Sequence, residues 1–161
     1  MFKNKKGFTL IELLVVIAII GLLSTLAVVA LSSARQKSRD SKRVSDMKQV
    51  QTAMELMFSA NNSYVMTGCA APGALVSSCN GPALPVGVTA ITEFLPGIDK
   101  LKDPNGAAAC AAACDATVAA PCNYSVKVVP TATTYEFCFY LEGNTGDLLK
   151  GAHKVTPAGL Q

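Results

Sequence analysis

The stretch GFTLIELLVVIAIIGLLSTLAVVAL, Gly7 to Leu31, decides how the rest of the chain is read. From Phe8 onward its only polar residues are Thr9, Glu12, Ser24 and Thr25, and Gly21 is its one helix weakener. As a helix, those 24 residues would extend about 36 Å at about 1.5 Å per residue. A bilayer's hydrocarbon core is about 30 Å thick, so the segment is long enough to cross it with some tilt.

Outward from this run the chain is punctuated by charge. Lys3, Lys5 and Lys6 precede it, and residues 1–7 read as a short basic leader. Arg35, Lys37, Arg39, Lys42, Arg43 and Lys48 follow it, against only Asp40 and Asp46. From Gln49 onward 5 bases meet 8 acids, a net of −3, so the overall +3 conceals a basic collar ahead of a mildly acidic body. The collar is either a solvated helix face or a surface for lipid head groups and acids of neighbouring molecules. Counting Lys and Arg near the membrane ends predicts that the collar, with more bases than the leader, faces the cytoplasm.

No proline occurs before Pro72 and no glycine between Gly21 and Gly68, so nothing stops the helix at the membrane surface. Val44, Met47, Val50, Met54, Met57 and Phe58 keep three- and four-residue spacing, with Lys48, Gln49, Gln51 and Glu55 on the other face. The pattern predicts one helix from about Phe8 to about Ser59, roughly 75–80 Å long by the helical rise. Asn61-Asn62-Ser63 ends it. No compact domain of this size encloses such a helix, so its apolar first half needs lipid or other subunits.

Beyond the helix, residues 64–87 read as a loop, and 89–101 hold a short apolar pattern with room for a helical turn. Asp103-Pro104-Asn105-Gly106 is a turn signal: proline presets φ, and Asn-Gly tolerates positive φ. Tyr124, Val126 and Val128 alternate as a strand, as do Tyr135, Phe137, Phe139 and Leu141, with Pro130 to Thr134 as the hairpin loop. The turn at 143–147 predicts a short third strand near Leu148. The expected fold is α+β: a long N-terminal helix whose second half packs on a small antiparallel sheet. Its organisation is leader 1–7, transmembrane or filament-core helix 8–31, amphipathic continuation 32–60 and extracytoplasmic globular domain 61–161. Met47, Met54 and Met57 are core contacts to the sheet.

Six cysteines, at 69, 79, 110, 114, 122 and 138, all lie beyond the helix. An even count confined to one region points to disulfides in an oxidising compartment, with 15 pairings open. Cys110, Cys114 and Cys122 do not have zinc-site spacing. The turn residues Glu142, Asn144 and Asp147 are weak calcium candidates beside the simpler reading of a hydrogen-bonded turn. The single histidine, His153, reads as a surface residue, and no catalytic constellation or cofactor motif stands out.

Three readings of the N-terminus compete. A signal peptide has the basic start and a small-x-small site at Ser32-Ser33-Ala34, but its apolar core is normally about 7–15 residues and carries no acid. A passive anchor explains the length but not Glu12, because a carboxylate near the bilayer centre costs on the order of 2.5–3.5 kcal/mol. The third reading explains both. The string from Gly7 to Gly21 resembles the N-terminus of type IV prepilins and of the pseudopilins of type II secretion.

That resemblance implies cleavage after Gly7 by a prepilin peptidase, N-methylation of Phe8, and a role for Glu12 as the assembly acid. It also implies a structural, non-enzymatic filament subunit with no cofactor. Its partners would be copies of itself in a helical homo-oligomer, an inner-membrane assembly platform and the membrane. The alternatives are a secretion pseudopilin, or a minor tip subunit whose loops bind DNA or a surface. The chain would span the membrane once before assembly and lie in an extracellular or cell-surface filament afterwards. The leader's exposure to a cytosolic-side peptidase then overrides the count of flanking bases. Many filament-forming relatives carry a proline near the end of the apolar run, where this chain has Val28-Val29.

Overall fold

The structure, a computed structural model, describes residues 7–69, 71–81, 89–106, 108–111, 114–115 and 121–161. Residues 1–6 of the expected leader, and part of the Ala- and Cys-rich stretch at 107–122, lie outside these. Helix α1 runs Leu10–Asn61. The chain divides into two units, one ending at Gln36 and the other beginning at Lys37.

The first unit is the start of α1. Its 16 large apolar side chains from Phe8 to Leu31 are all exposed, between 47% and 88%. Nothing in the unit covers them, because one helix has no second element to pack against. This is the described helix long and apolar enough to cross a membrane.

The second unit begins with the rest of α1. Met47, Val50, Met54 and Met57 are buried in its core, as their spacing predicts. The helix ends at Asn61, a turn of two residues past Ser59. Asn62 takes a positive φ of 53°, and its N–H bonds the Phe58 carbonyl, a left-handed cap that asparagine tolerates. The Asn61 amide bonds both the N–H and the carbonyl of Thr89, tying the helix end to the next segment.

The sheet has four antiparallel strands in the order β1-β2-β3-β4: β1 Ser125–Val128, β2 Glu136–Leu141, β3 Gly151–Thr156 and β4 Gly159–Leu160. Val126 faces Phe137 across the first pair, and Phe139 faces His153 across the second. Helix α2, Ile91–Phe94, and a 3-10 turn at Ile98–Lys100 fall where a helical turn is expected. A second 3-10 turn, Val76–Ser78, interrupts the stretch read as loop, and Leu75 bridges Ser125 beside β1.

The third strand is displaced from its expected place. Leu148 belongs to the turn, bridging Thr145, and the strand starts at Gly151. Residues 151–154 are half-buried throughout and include Ala, His and Lys, so no apolar alternation marks them.

Both faces of β2 are covered. Phe137, Phe139 and Leu141 meet the α1 stripe, while Cys138 and Tyr140 lie beneath Cys110, Cys114 and Cys122. Three disulfides join Cys69 to Cys79, Cys110 to Cys122, and Cys114 to Cys138. The last fastens the distal loop onto the sheet. The turn at Asp103 forms for a different reason from the one its Asn-Gly suggests. Neither Asn105 nor Gly106 has positive φ; a Cβ on Gly106 would lie 2.4 Å from the Cys122 carbonyl carbon, so only glycine allows the two segments to pass.

Candidate assembly and fastening sites

The residues singled out at the N-terminus begin at Gly7, an open position where a Cβ would meet nothing within 4 Å. Phe8 is 88% exposed. Glu12 occupies the third position of α1, where an acid reaches back to free backbone N–H groups. Its Oε2 accepts from both the N–H and the Oγ1 of Thr9, each at 2.8 Å, and its own N–H points to Thr9 Oγ1 at 3.3 Å. This reciprocal arrangement is a capping box. Thr9 was not singled out from the sequence, yet Thr-Leu-Ile-Glu ahead of an apolar run is the pattern that announces it.

The second constellation lies where the collar enters the body. Arg43 is fully buried. Its Nε and Nη2 donate to the two carboxylate oxygens of Asp103 at 2.6 and 3.0 Å; its Nη1 donates to Asp40 and to Glu142, both at 2.7 Å. Arg39 grips Glu142 with two bonds of 2.8 and 2.6 Å. The acids are held in turn by backbone: Asp40 accepts from the N–H groups of Glu142 and Gly143, and Asp103 from those of Asn105 and Gly106. A buried arginine left unpaired is strongly destabilising, and here every partner is also satisfied elsewhere. The network ties α1 to the Asp103 turn and to the end of β2.

Its electrostatics follow from the contacts. The hydrogen bond from Arg39, with Arg43 behind it, pulls the Glu142 carboxyl down to about 2 against the cost of burial. Burial works against the Arg43 charge, but Asp103, Glu142 and Asp40 outweigh it and raise its pKa. Nearby, Tyr124 donates to Asp46 at 2.9 Å, and Lys42 approaches the same carboxylate at 3.6 Å. Burial, and then the Asp46 charge, push the Tyr124 phenol up. The Tyr64 phenol, pushed up to about 12 by burial and then Glu55, donates to that carboxylate.

The collar therefore divides. Arg39 and Arg43 belong to the fold, whereas Arg35, Lys37 and Lys48 remain exposed. The calcium candidates are placed differently from a ligand set. Arg39 and Arg43 occupy Glu142, the Asn144 side-chain oxygen accepts the Lys150 N–H, and Asp147 is exposed. Among the described residues no group of three His, Cys, Asp or Glu is placed to hold a metal. His153 sets its two ring nitrogens against the carbonyls of Gln161 and Leu149 and packs beside Phe139.

Residues 2–28 match the family described as the prokaryotic N-terminal methylation motif. Over 85 residues the chain is 35% identical to the type II secretion system core protein G of Dickeya chrysanthemi, covering 53% of this chain and 55% of that one. Over 62 residues it is 40% identical to the type IV wide pilus major component PilA4 of Thermus thermophilus, covering 38% and 47%. Over 61 residues it is 37% identical to the type IV major pilin protein PilA of Myxococcus xanthus, covering 38% and 28%. The chain thus spans about half the length, or less, of these curated relatives. No solved structure matches it.

A long N-terminal helix, apolar at its start and seated on a small antiparallel sheet further on, carries here a methylation motif. The motif lies on the apolar start of that helix. By this motif and these partial matches the chain is similar to type IV pilins and secretion pseudopilins.

Proposed function

We propose that the chain is a prepilin: a structural subunit cleaved after Gly7, methylated on Phe8 and assembled through its N-terminal helix into a filament rooted in a membrane. The observation that carries this reading is the methylation motif at residues 2–28 over the start of a helix whose large apolar side chains from Phe8 to Leu31 are all exposed. Lipid covers them in the free subunit, and neighbouring helices cover them in the filament. Cleavage creates an ammonium on Phe8 one turn from Glu12. Between subunits that amine and carboxylate fix the axial register, because a buried charge left alone costs several kcal/mol. The prepilin peptidase and an inner-membrane platform are the partners this requires, and a cell-surface filament is the product.

The second reading, a secretion pseudopilin in a short periplasmic filament, is favoured by the relatives named type II secretion core protein G. Filament length on producing cells separates the two.

Intact-mass and N-terminal peptide analysis of protein sheared from its native cells tests the proposal. A chain beginning at Phe8 with one added methyl supports it. A chain beginning at Arg35 identifies an ordinary signal peptide and ends the filament reading.

A further inference from the structure

The structure sorts the charges that follow the apolar run. Between Ser32 and Gln49 both acids are withdrawn from the surface: Asp40 is bonded to Arg43, and Asp46 accepts from Tyr124 with Lys42 beside it. Arg39 and Arg43 are bonded to Glu142 and Asp103. Lys48 borders a groove with Asp147. Arg35 and Lys37 remain. Both are exposed, and among the described residues neither forms an ion pair.

These two bases also stand at a set distance from the apolar run, whose last residue is Leu31. At about 1.5 Å per residue along α1, Arg35 lies about 6 Å beyond Leu31 and Lys37 about 9 Å beyond it. The polar layer on each side of a bilayer's hydrocarbon core is about 5–7 Å deep. With Leu31 at the edge of the core, both side chains reach that layer, because the long stems of arginine and lysine bend toward the interface. Lys42 and Lys48 start about 16 and 25 Å out and do not reach it. Two steps along a helix turn a side chain by about 200°, so the two bases leave α1 on opposite sides.

We propose that Arg35 and Lys37 bind the head groups of anionic phospholipids in the leaflet around the end of the apolar run. Bases beside a membrane-crossing segment are drawn to anionic lipid, and no exposed acid between Ser32 and Gln49 competes for these two. The Arg35 guanidinium offers paired donors to phosphate oxygens, and the Lys37 ammonium a point charge. Each base takes its own lipids, so the pair forms a girdle rather than a pocket. The contacts hold Leu31 at the edge of the core and so set the depth of the helix. An acidic patch of another copy, or a nucleic acid, would answer the same charge. Neither accounts for the placement: the bases without an acid are the two within reach of the head groups, while those farther along have acids beside them. The inference rests on the membrane-rooted reading above and names the class of lipid that holds the subunit there.

The test reconstitutes the full chain in phosphatidylcholine vesicles carrying spin-labelled phosphatidylglycerol or spin-labelled phosphatidylcholine. The immobilised fraction of each probe gives its relative affinity for the chain. In low salt the expected preference for phosphatidylglycerol is about threefold or more. It falls toward parity in high salt, and in the double variant Arg35→Gln, Lys37→Gln. Lys3, Lys5 and Lys6 stay in place, so what the variant loses belongs to the two collar bases. Both positions are exposed, so the melting midpoint of the body in detergent should not move. Equal affinity for the two lipids in the parent, or an undiminished preference in the double variant, overturns the inference while the membrane reading stands. Duplex DNA retained by the detergent-solubilised parent and lost by the variant, without any lipid preference, gives the bases to nucleic acid and overturns it as well. A chain that does not enter vesicles at all overturns the membrane reading itself.

Discussion

The two units of this chain use apolar residues in opposite ways. In the first, leucine, isoleucine and valine occupy every side of one helix, and all of them are uncovered. In the second, apolar residues return every three or four positions, and Met47, Val50, Met54 and Met57 have no exposed surface at all. Composition does not separate the two; spacing does. A helix that is apolar all round needs lipid or other helices as its surroundings, whereas one with a single apolar stripe finds its partner in its own sheet. Damage to the first unit should therefore appear in assembly and not in folding, and damage to the second in folding first.

The sharpest break of that comparison is Glu12→Ala. It should abolish filaments on cells while leaving the thermal midpoint of the body unchanged, as seen by electron microscopy and by melting of the full chain in detergent. Normal filaments from this variant would remove Glu12 from assembly.

Next in size is Arg43→Met. Removing one partner of a buried pair costs about 3–5 kcal/mol, because Asp103 and Asp40 keep buried charges without their cation. The melting midpoint should fall by well over ten degrees, since about 1 kcal/mol shifts a domain of this size by roughly 4 °C. A shift of only a few degrees would show that the network is dispensable.

Acid should act on the same network through Glu142. Its folded pKa, about 2, lies below the ordinary 4.5. The stability it contributes is therefore complete above the ordinary value and is lost as pH falls through about 2. Melting midpoints across that window should fall steeply in the parent and more gently in Glu142→Gln; equal slopes would assign acid sensitivity to other groups.

The smallest expected effect is Gly21→Ala. A Cβ there meets nothing within 4 Å in the single chain. The substitution should stabilise the helix by roughly 0.5–1 kcal/mol, read as slightly higher helicity. Unchanged filaments would mark Gly21 as merely tolerated, whereas lost filaments would show that a neighbouring helix approaches it closely.

What the sequence disclosed follows from what has a period. The α1 stripe repeats at 3.6 residues and the strands at 124–128 and 135–141 at two, so helix, core and first hairpin were all legible. Arg43 was not. It sits in a run of bases that looks like a solvated face, and its partners Asp103 and Glu142 lie 60 and 99 residues away. No local pattern encodes such distant pairings, and the same holds for the disulfides, where spacing left every connectivity open. Strand β3 escaped because its sequence, GAHKVT, lacks alternation until Val155. At the N-terminus Gly7, Phe8 and Glu12 were read from a motif, while the capping role of Thr9 was visible in the letters and overlooked.

The Arg43 fork also acts as a key for the rotational setting of α1. Advancing a helix by one residue turns it about 100°. A seam of methionines is forgiving of small errors in that setting, because the unbranched thioether chain reshapes to fill gaps. A guanidinium bonded to three carboxylates is not forgiving: one step along the helix carries it away from Asp103 and Glu142 together. The soft seam thus supplies adhesion and the charged fork supplies phase. Whatever the body is to meet, it meets the same side of the helix, with Lys48 and Leu56 outward.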